Sequence, residues 1–144
     1  MNIGLLGPAA ALCFAAIGSA MGTGVAAQAA IGGWKKCFAN NKPAPFLLVA
    51  FAGAPLSQTI YGLLLMNFIS AAASNGISDM ILLSDGIFGG IAIGASAYMQ
   101  GRVAASAADA LVSTGKGTAN YFMVIGIVET VALFVMVFLM LTLS

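Results

Sequence analysis

Histidine is absent from this chain of 144 residues, and charge is scarce: five Lys or Arg, four Asp or Glu, and a net charge of +1. The lack of histidine, together with the lack of any Cys-x-x-Cys spacing, argues against zinc or softer-metal chemistry. Only two cysteines occur. Cys13 falls in an apolar run and Cys37 is expected in a loop, so no disulfide is expected. A soluble chain of this size carries charge on about a quarter of its residues. Here charged residues make up 6% and hydrophobic ones 61%, which excludes a soluble domain and leaves lipid as the solvent. A net charge near zero gives no basic field for nucleic acid and no acidic tail. Nucleotide-binding loops are missing too. Gly22-Thr23-Gly24 and Gly115-Lys116-Gly117-Thr118 echo phosphate loops, but neither follows a strand or completes the spacing.

What is present is long apolar sequence. Four segments are near or above the roughly 20 residues needed to cross a hydrocarbon core of about 30 Å. They run from about Leu5 to Ile31, Pro45 to Ala73, Leu82 to Val112 and Ala119 to Leu143. Helix is the expected form, because an open strand would leave backbone groups unpaired in lipid. No Lys or Arg precedes Trp34, and the first apolar run exceeds the length of a secretory signal. It is therefore expected to be a retained membrane helix.

The breaks carry turn chemistry: Gly32-Gly33-Trp34-Lys35-Lys36 through Asn40-Asn41-Lys42-Pro43, then Asn75-Gly76, then Thr114-Gly115-Lys116-Gly117. Lys35, Lys36, Lys42 and Lys116 fall in the first and third connections, whereas the second holds Asp79 and Asp85 and no base. The positive-inside rule places the first and third connections in the cytoplasm and both termini outside.

The chain reads as one hairpin written twice. Gly24-Val25-Ala26-Ala27-Gln28-Ala29-Ala30 matches Arg102-Val103-Ala104-Ala105-Ser106-Ala107-Ala108, and Ile17-Gly18 matches Ile93-Gly94 across a short gap. Ser57-Gln58-Thr59-Ile60 aligns with Val128-Glu129-Thr130-Val131. The expected class is an all-α membrane protein, a single membrane domain (1–144) of two tandem hairpins, 1–75 and 76–144. Gly18, Gly22, Ala26 and Ala30 form a small-residue ladder; Gly90, Gly94, Gly101, Ala105 and Ala108 suggest another. Such faces let helices approach closely. They fit either the crowded inner radius of a curved assembly or ordinary packing inside a four-helix bundle. Phe46, Phe51, Phe68, Phe122, Phe134 and Phe138 in the second and fourth segments suit a lipid-facing surface.

Against this background Glu129 stands out, a carboxylate in the most apolar segment of the chain. A charge at the centre of a bilayer costs about 2.5–3.5 kcal/mol on insertion scales, so it marks a functional site by default. Few polar side chains share its depth. Counted from the expected cytoplasmic ends, Gln58 lies about 20 Å in, Glu129 about 15 Å and Gln100 about 17 Å. Ser57 adjoins Gln58, and Tyr61 lies three residues beyond Gln58 on the same face. Thr130 adjoins Glu129 and is expected to hydrogen-bond its carboxylate. Pro55 has no amide to donate and disturbs the preceding turn, which loosens a carbonyl there. A carboxylate, two amide oxygens, a hydroxyl and a carbonyl are hard oxygen ligands. One negative charge balances a monovalent ion, which points to Na⁺ or H⁺.

These residues carry a resemblance. Pro55-Leu56-Ser57-Gln58-Thr59-Ile60-Tyr61-Gly62, Gln100-Gly101-Arg102-Val103-Ala104-Ala105 and Val128-Glu129-Thr130 resemble the membrane-ring proteolipid of V-type ATPases, above all of their sodium-pumping bacterial branch. The likeness spans essentially the whole chain. It implies a homo-oligomeric ring in a bacterial cell membrane, with Na⁺ held by Ser57, Gln58, Gln100, Glu129 and the main-chain carbonyl of Ala54. Tyr61 would hydrogen-bond the carboxylate. Ser57 stands where the family has threonine, with the hydroxyl kept. The resemblance further implies central-stalk subunits docked on the cytoplasmic loops and a stator subunit that supplies an arginine. ATP would be handled by other subunits, since no nucleotide site is present in this sequence. Two other functions fit the residues: a proton-pumping form of the same rotor, and a small four-helix antiporter that works as a dimer through Glu129.

Overall fold

The computed structural model describes residues 3–143. Among them every regular element is helical. A 3-10 turn, Ile3–Leu5, leads into α1 (Leu6–Ala39). α2 (Leu48–Gly53) and α3 (Ser57–Ser74) form one rod, interrupted by the 3-10 turn Ala54–Leu56. α4 (Asp79–Thr114) and α5 (Thr118–Thr142) follow. Four helical spans are long and apolar enough to cross a membrane: Ile3–Ala39, Leu48–Ser74, Asp79–Thr114 and Thr118–Thr142.

Helix α1 is longer than its sequence suggests. It runs straight through Gly32, Gly33 and both lysines, and it ends only at the Asn40–Asn41 pair. Asn41 adopts a left-handed conformation, with φ at 51°. The Lys42 amide then donates to Cys37 O at 2.9 Å and the Asn41 amide to Phe38 O at 3.2 Å. That double bond to the last turn is a helix stop in its own right. The glycines fail to end the helix because Gly33 is packed: a Cβ there would meet Val112 at 2.8 Å and Leu48 at 3.3 Å. Cys37 is accordingly in a helix and buried, and not in a loop. Asp79 and Asp85 belong to α4, and Lys35 and Lys36 to α1, not to the connections.

α1 and α4 lie side by side in parallel, and their backbones touch. A Cβ on Gly18 would run into Gly94 O, one on Gly22 into Ala97 O, and one on Gly101 into Gly22 O. The small-residue ladders therefore face each other within one chain. Intrachain packing accounts for them whether or not the chain sits in a ring.

The rod α2–α3 and helix α5 lie outside this pair. One core cluster joins Ala11, Ala15, Leu65, Ile69, Ile93 and Ala132 toward one end. A second joins Ala26, Ala30, Leu48, Phe51, Ala104 and Ile125 toward the other. Phe51 departs from the lipid-facing expectation: it is 1% exposed and makes edge contacts with Tyr121 and Phe122. Phe46, Phe134 and Phe138 are exposed.

The α1–α4 seam can be tested against a control glycine. Gly101→Ala should destabilise the protein by about 1–3 kcal/mol, since backbone has to move to admit the methyl group. Gly126 has open space around its Cβ position, so Gly126→Ala should be neutral or slightly stabilising. Thermal unfolding of the two purified variants decides; equal midpoints would show that the seam tolerates separation.

Candidate functional site

The break in the second span sets up the site. Pro55 cannot donate to the helix ladder, so α2 gives way to a 3-10 turn and α3 restarts at Ser57. The Ser57 amide and Ser57 Oγ both return to the Ala54 carbonyl, the hydroxyl at 3.1 Å. Ser57 Oγ also lies 3.1 Å from Gln58 Oε1. Ala54 O, Ser57 Oγ and Gln58 Oε1 thus form a compact group of oxygens on one side.

Gln100 connects that group to the carboxylate. Gln58 Nε2 donates to Gln100 Oε1 at 2.7 Å. Gln100 Nε2 in turn lies 3.1 Å from Glu129 Oε2 and 3.1 Å from the Ile125 carbonyl. Both glutamines are fully buried. Tyr61 closes the other side, its hydroxyl donating to Glu129 Oε1 at 2.8 Å. Each carboxylate oxygen therefore accepts one hydrogen bond from a neighbouring helix, one from α3 and one from α4. Glu129 itself is half-buried, near the middle of α5.

Of the residues singled out in the sequence, Ala54, Ser57, Gln58, Tyr61, Gln100 and Glu129 come together here. Thr130 does not. Its Oγ1 donates to the Ile127 carbonyl at 2.7 Å and the residue is exposed, so the expected bond to the carboxylate is absent. Successive helical residues are turned about 100° apart, which carries Thr130 off the face of Glu129. Sequence reasoning misses one residue of the site. Ser96 Oγ donates to the Val128 carbonyl at 3.0 Å and fixes α5 to α4 beside the carboxylate. Ser96 precedes Gln100 by four residues and so shares its face, a spacing that could have flagged it. At the α1 and α4 C-terminal ends, Asp109 pairs with Lys36 at 3.4 Å, and Arg102 is exposed.

The arrangement holds one half-buried carboxylate beside amide, hydroxyl and carbonyl groups. Chemically it can bind a proton or a small hard cation.

Residues 84–142 match the family of the ATP synthase C subunit. The match takes in most of α4 and all of α5, and with them Ser96, Gln100 and Glu129. The likeness is to the C subunit of ATP synthase and lies in the second half of the chain. A comparison with curated proteins found no match.

The network makes a prediction about its centre. Gln100→Leu removes the partner of Gln58 and the donor to Glu129 together, and should destabilise by about 1–3 kcal/mol. Tyr61→Phe removes one bond at a half-buried group and should cost about 1 kcal/mol or less. Unfolding of both variants in detergent checks the order; a more damaging Tyr61→Phe would move the centre of the network to Tyr61.

Proposed function

We propose that the chain is the ion-carrying component of the rotor ring in a sodium-pumping V-type ATPase of a bacterial cell membrane, each copy carrying one Na⁺ at Glu129. The observation that carries this reading is the gathering of the Ala54 carbonyl, Ser57 Oγ, the Gln58 and Gln100 amides and the single Glu129 carboxylate at one point. A hard monovalent cation is the species such a set of oxygens suits. The family match over residues 84–142 supports the rotor assignment.

In this mechanism Na⁺ is cargo. A loaded Glu129 is neutral overall and tolerates lipid as the ring turns. An empty Glu129 is an uncompensated charge and has to meet a positive group, supplied by an arginine of a stator subunit. The difference between the two states couples rotation to transport. Moving one charge against 100 mV takes about 2.3 kcal/mol, so several ions per ATP are within reach. The connections near Lys42 and Lys116 face the cytoplasm and meet central-stalk subunits, with both termini outside.

A second reading has one observation in its favour. The hydrogen bonds from Ser57 through Gln58 and Gln100 to Glu129 form a continuous chain. A proton-carrying version of the same ring would use that chain to orient a protonated carboxyl.

Glu129→Gln should abolish ion-coupled transport in the reassembled ATPase while the ring still forms. Persistent pumping in that variant would end the proposal. Gln58→Ala combined with Gln100→Ala should weaken Na⁺ binding by about tenfold or more, the cost of losing hydrogen-bonding ligands, and leave proton transport in place. An unchanged sodium dependence would assign the glutamines to packing and favour the proton-carrying ring.

A further inference from the structure

Two interior hydroxyls take no part in the network around Glu129. Ser19 Oγ and Thr23 Oγ1 are both enclosed, and neither has a hydrogen-bonding partner among the described residues. Ser19 as a whole is 1% exposed. The two residues are one helical turn apart on α1, so they share a face with their Cβ atoms about 5–6 Å apart. A buried hydroxyl without a partner is costly. Neither takes the usual escape in a helix, a bond to the carbonyl four residues back.

Their level in the bundle is fixed by the glycine contacts. A Cβ on Gly22 would meet Pro55 Cβ at 3.1 Å, and one on Gly62 would meet Ala15 Cβ at 2.5 Å. Ser19 lies one turn from both Ala15 and Gly22, and Thr23 one turn beyond Ser19, which puts the pair at the level of the turn Ala54–Leu56. The same turn leaves an acceptor short. Proline at 55 has no amide, so the Phe51 carbonyl loses the donor that an unbroken helix would supply. Phe51 is buried as well.

Two hydroxyls at this separation, at the level of a carbonyl short of a donor, have the chemistry of a single water site. One water reaches both hydroxyls with ordinary bonds of about 2.7–2.8 Å each. Buried waters typically make about three hydrogen bonds to otherwise unpaired groups. We infer that Ser19 and Thr23 hold one buried water molecule at the level of the Pro55 turn. The water supplies the hydrogen bonds that the broken helix lacks and holds the turn in place. This site does not depend on which ion Glu129 carries.

Two experiments on the full chain test it. In a lipid-embedded structure at a resolution that shows ordered water, a peak is expected within about 3 Å of both hydroxyl oxygens. Hydroxyls turned back onto the Ala15 and Ser19 carbonyls, with no peak between them, would overturn the inference. Ser19→Ala and Thr23→Val should each lower the thermal midpoint by a few degrees. The double variant should fall short of the sum, since either change removes one end of the same bridge. Alanine is the better helix former, so a drop in Ser19→Ala cannot come from propensity. Unchanged or raised midpoints would contradict the water site, because deleting an unpaired buried hydroxyl removes a penalty.

Discussion

The side chain of Gln100 joins three helices at one point, and the arrangement around Glu129 depends on it. Its oxygen accepts from Gln58 on α3, and its amide reaches both Glu129 and the Ile125 carbonyl on α5. Without that bridge, the oxygens of the Pro55 turn and the carboxylate would be two separate polar patches in an apolar bundle. Low dielectric makes the outcome sharp: buried polar networks are strong when fully paired and costly when partly so. Here the pairing is nearly complete, and Tyr61 supplies the last carboxylate bond.

Gln100 is held in place by packing that involves no polar group. α4 lies against α1 through glycines, with the Gly101 backbone on that of Gly22 immediately beside Gln100. Close approach of this kind is the main route to helix association where lipid is as apolar as the side chains. The glycine seam and the polar bridge therefore occupy adjacent residues of one helix, one face turned to α1 and the other to α3 and α5. The break at Pro55 complements them by turning Ala54 and Ser57 toward the same point.

Much of this is legible in the sequence. Four apolar runs define four spans by length alone. Gln58, Gln100 and Glu129 can be grouped because a helix converts residue count directly into depth. Features that depend on rotation about a helix axis or on neighbours are harder to read. Thr130 departs from expectation because adjacency in sequence turns a side chain away. Phe51 is buried, and not in lipid, because composition does not say which face of α2 meets α5. α1 outruns its expected end because Gly32-Gly33 reads as a break until Val112 and Leu48 are seen to pack on Gly33. Ser96 escapes notice because a lone serine in a membrane helix carries little signal until its partner carbonyl is known.

Carbodiimide labelling of the purified protein at mildly acidic pH tests whether Glu129 carries a sodium ion. The reagent modifies protonated buried carboxyls, so Glu129 is the expected target. Protection by millimolar NaCl, with none from KCl at equal ionic strength, is the predicted result. Labelling of Glu129 that is indifferent to Na⁺ would contradict the sodium assignment and leave the carboxylate as a proton carrier.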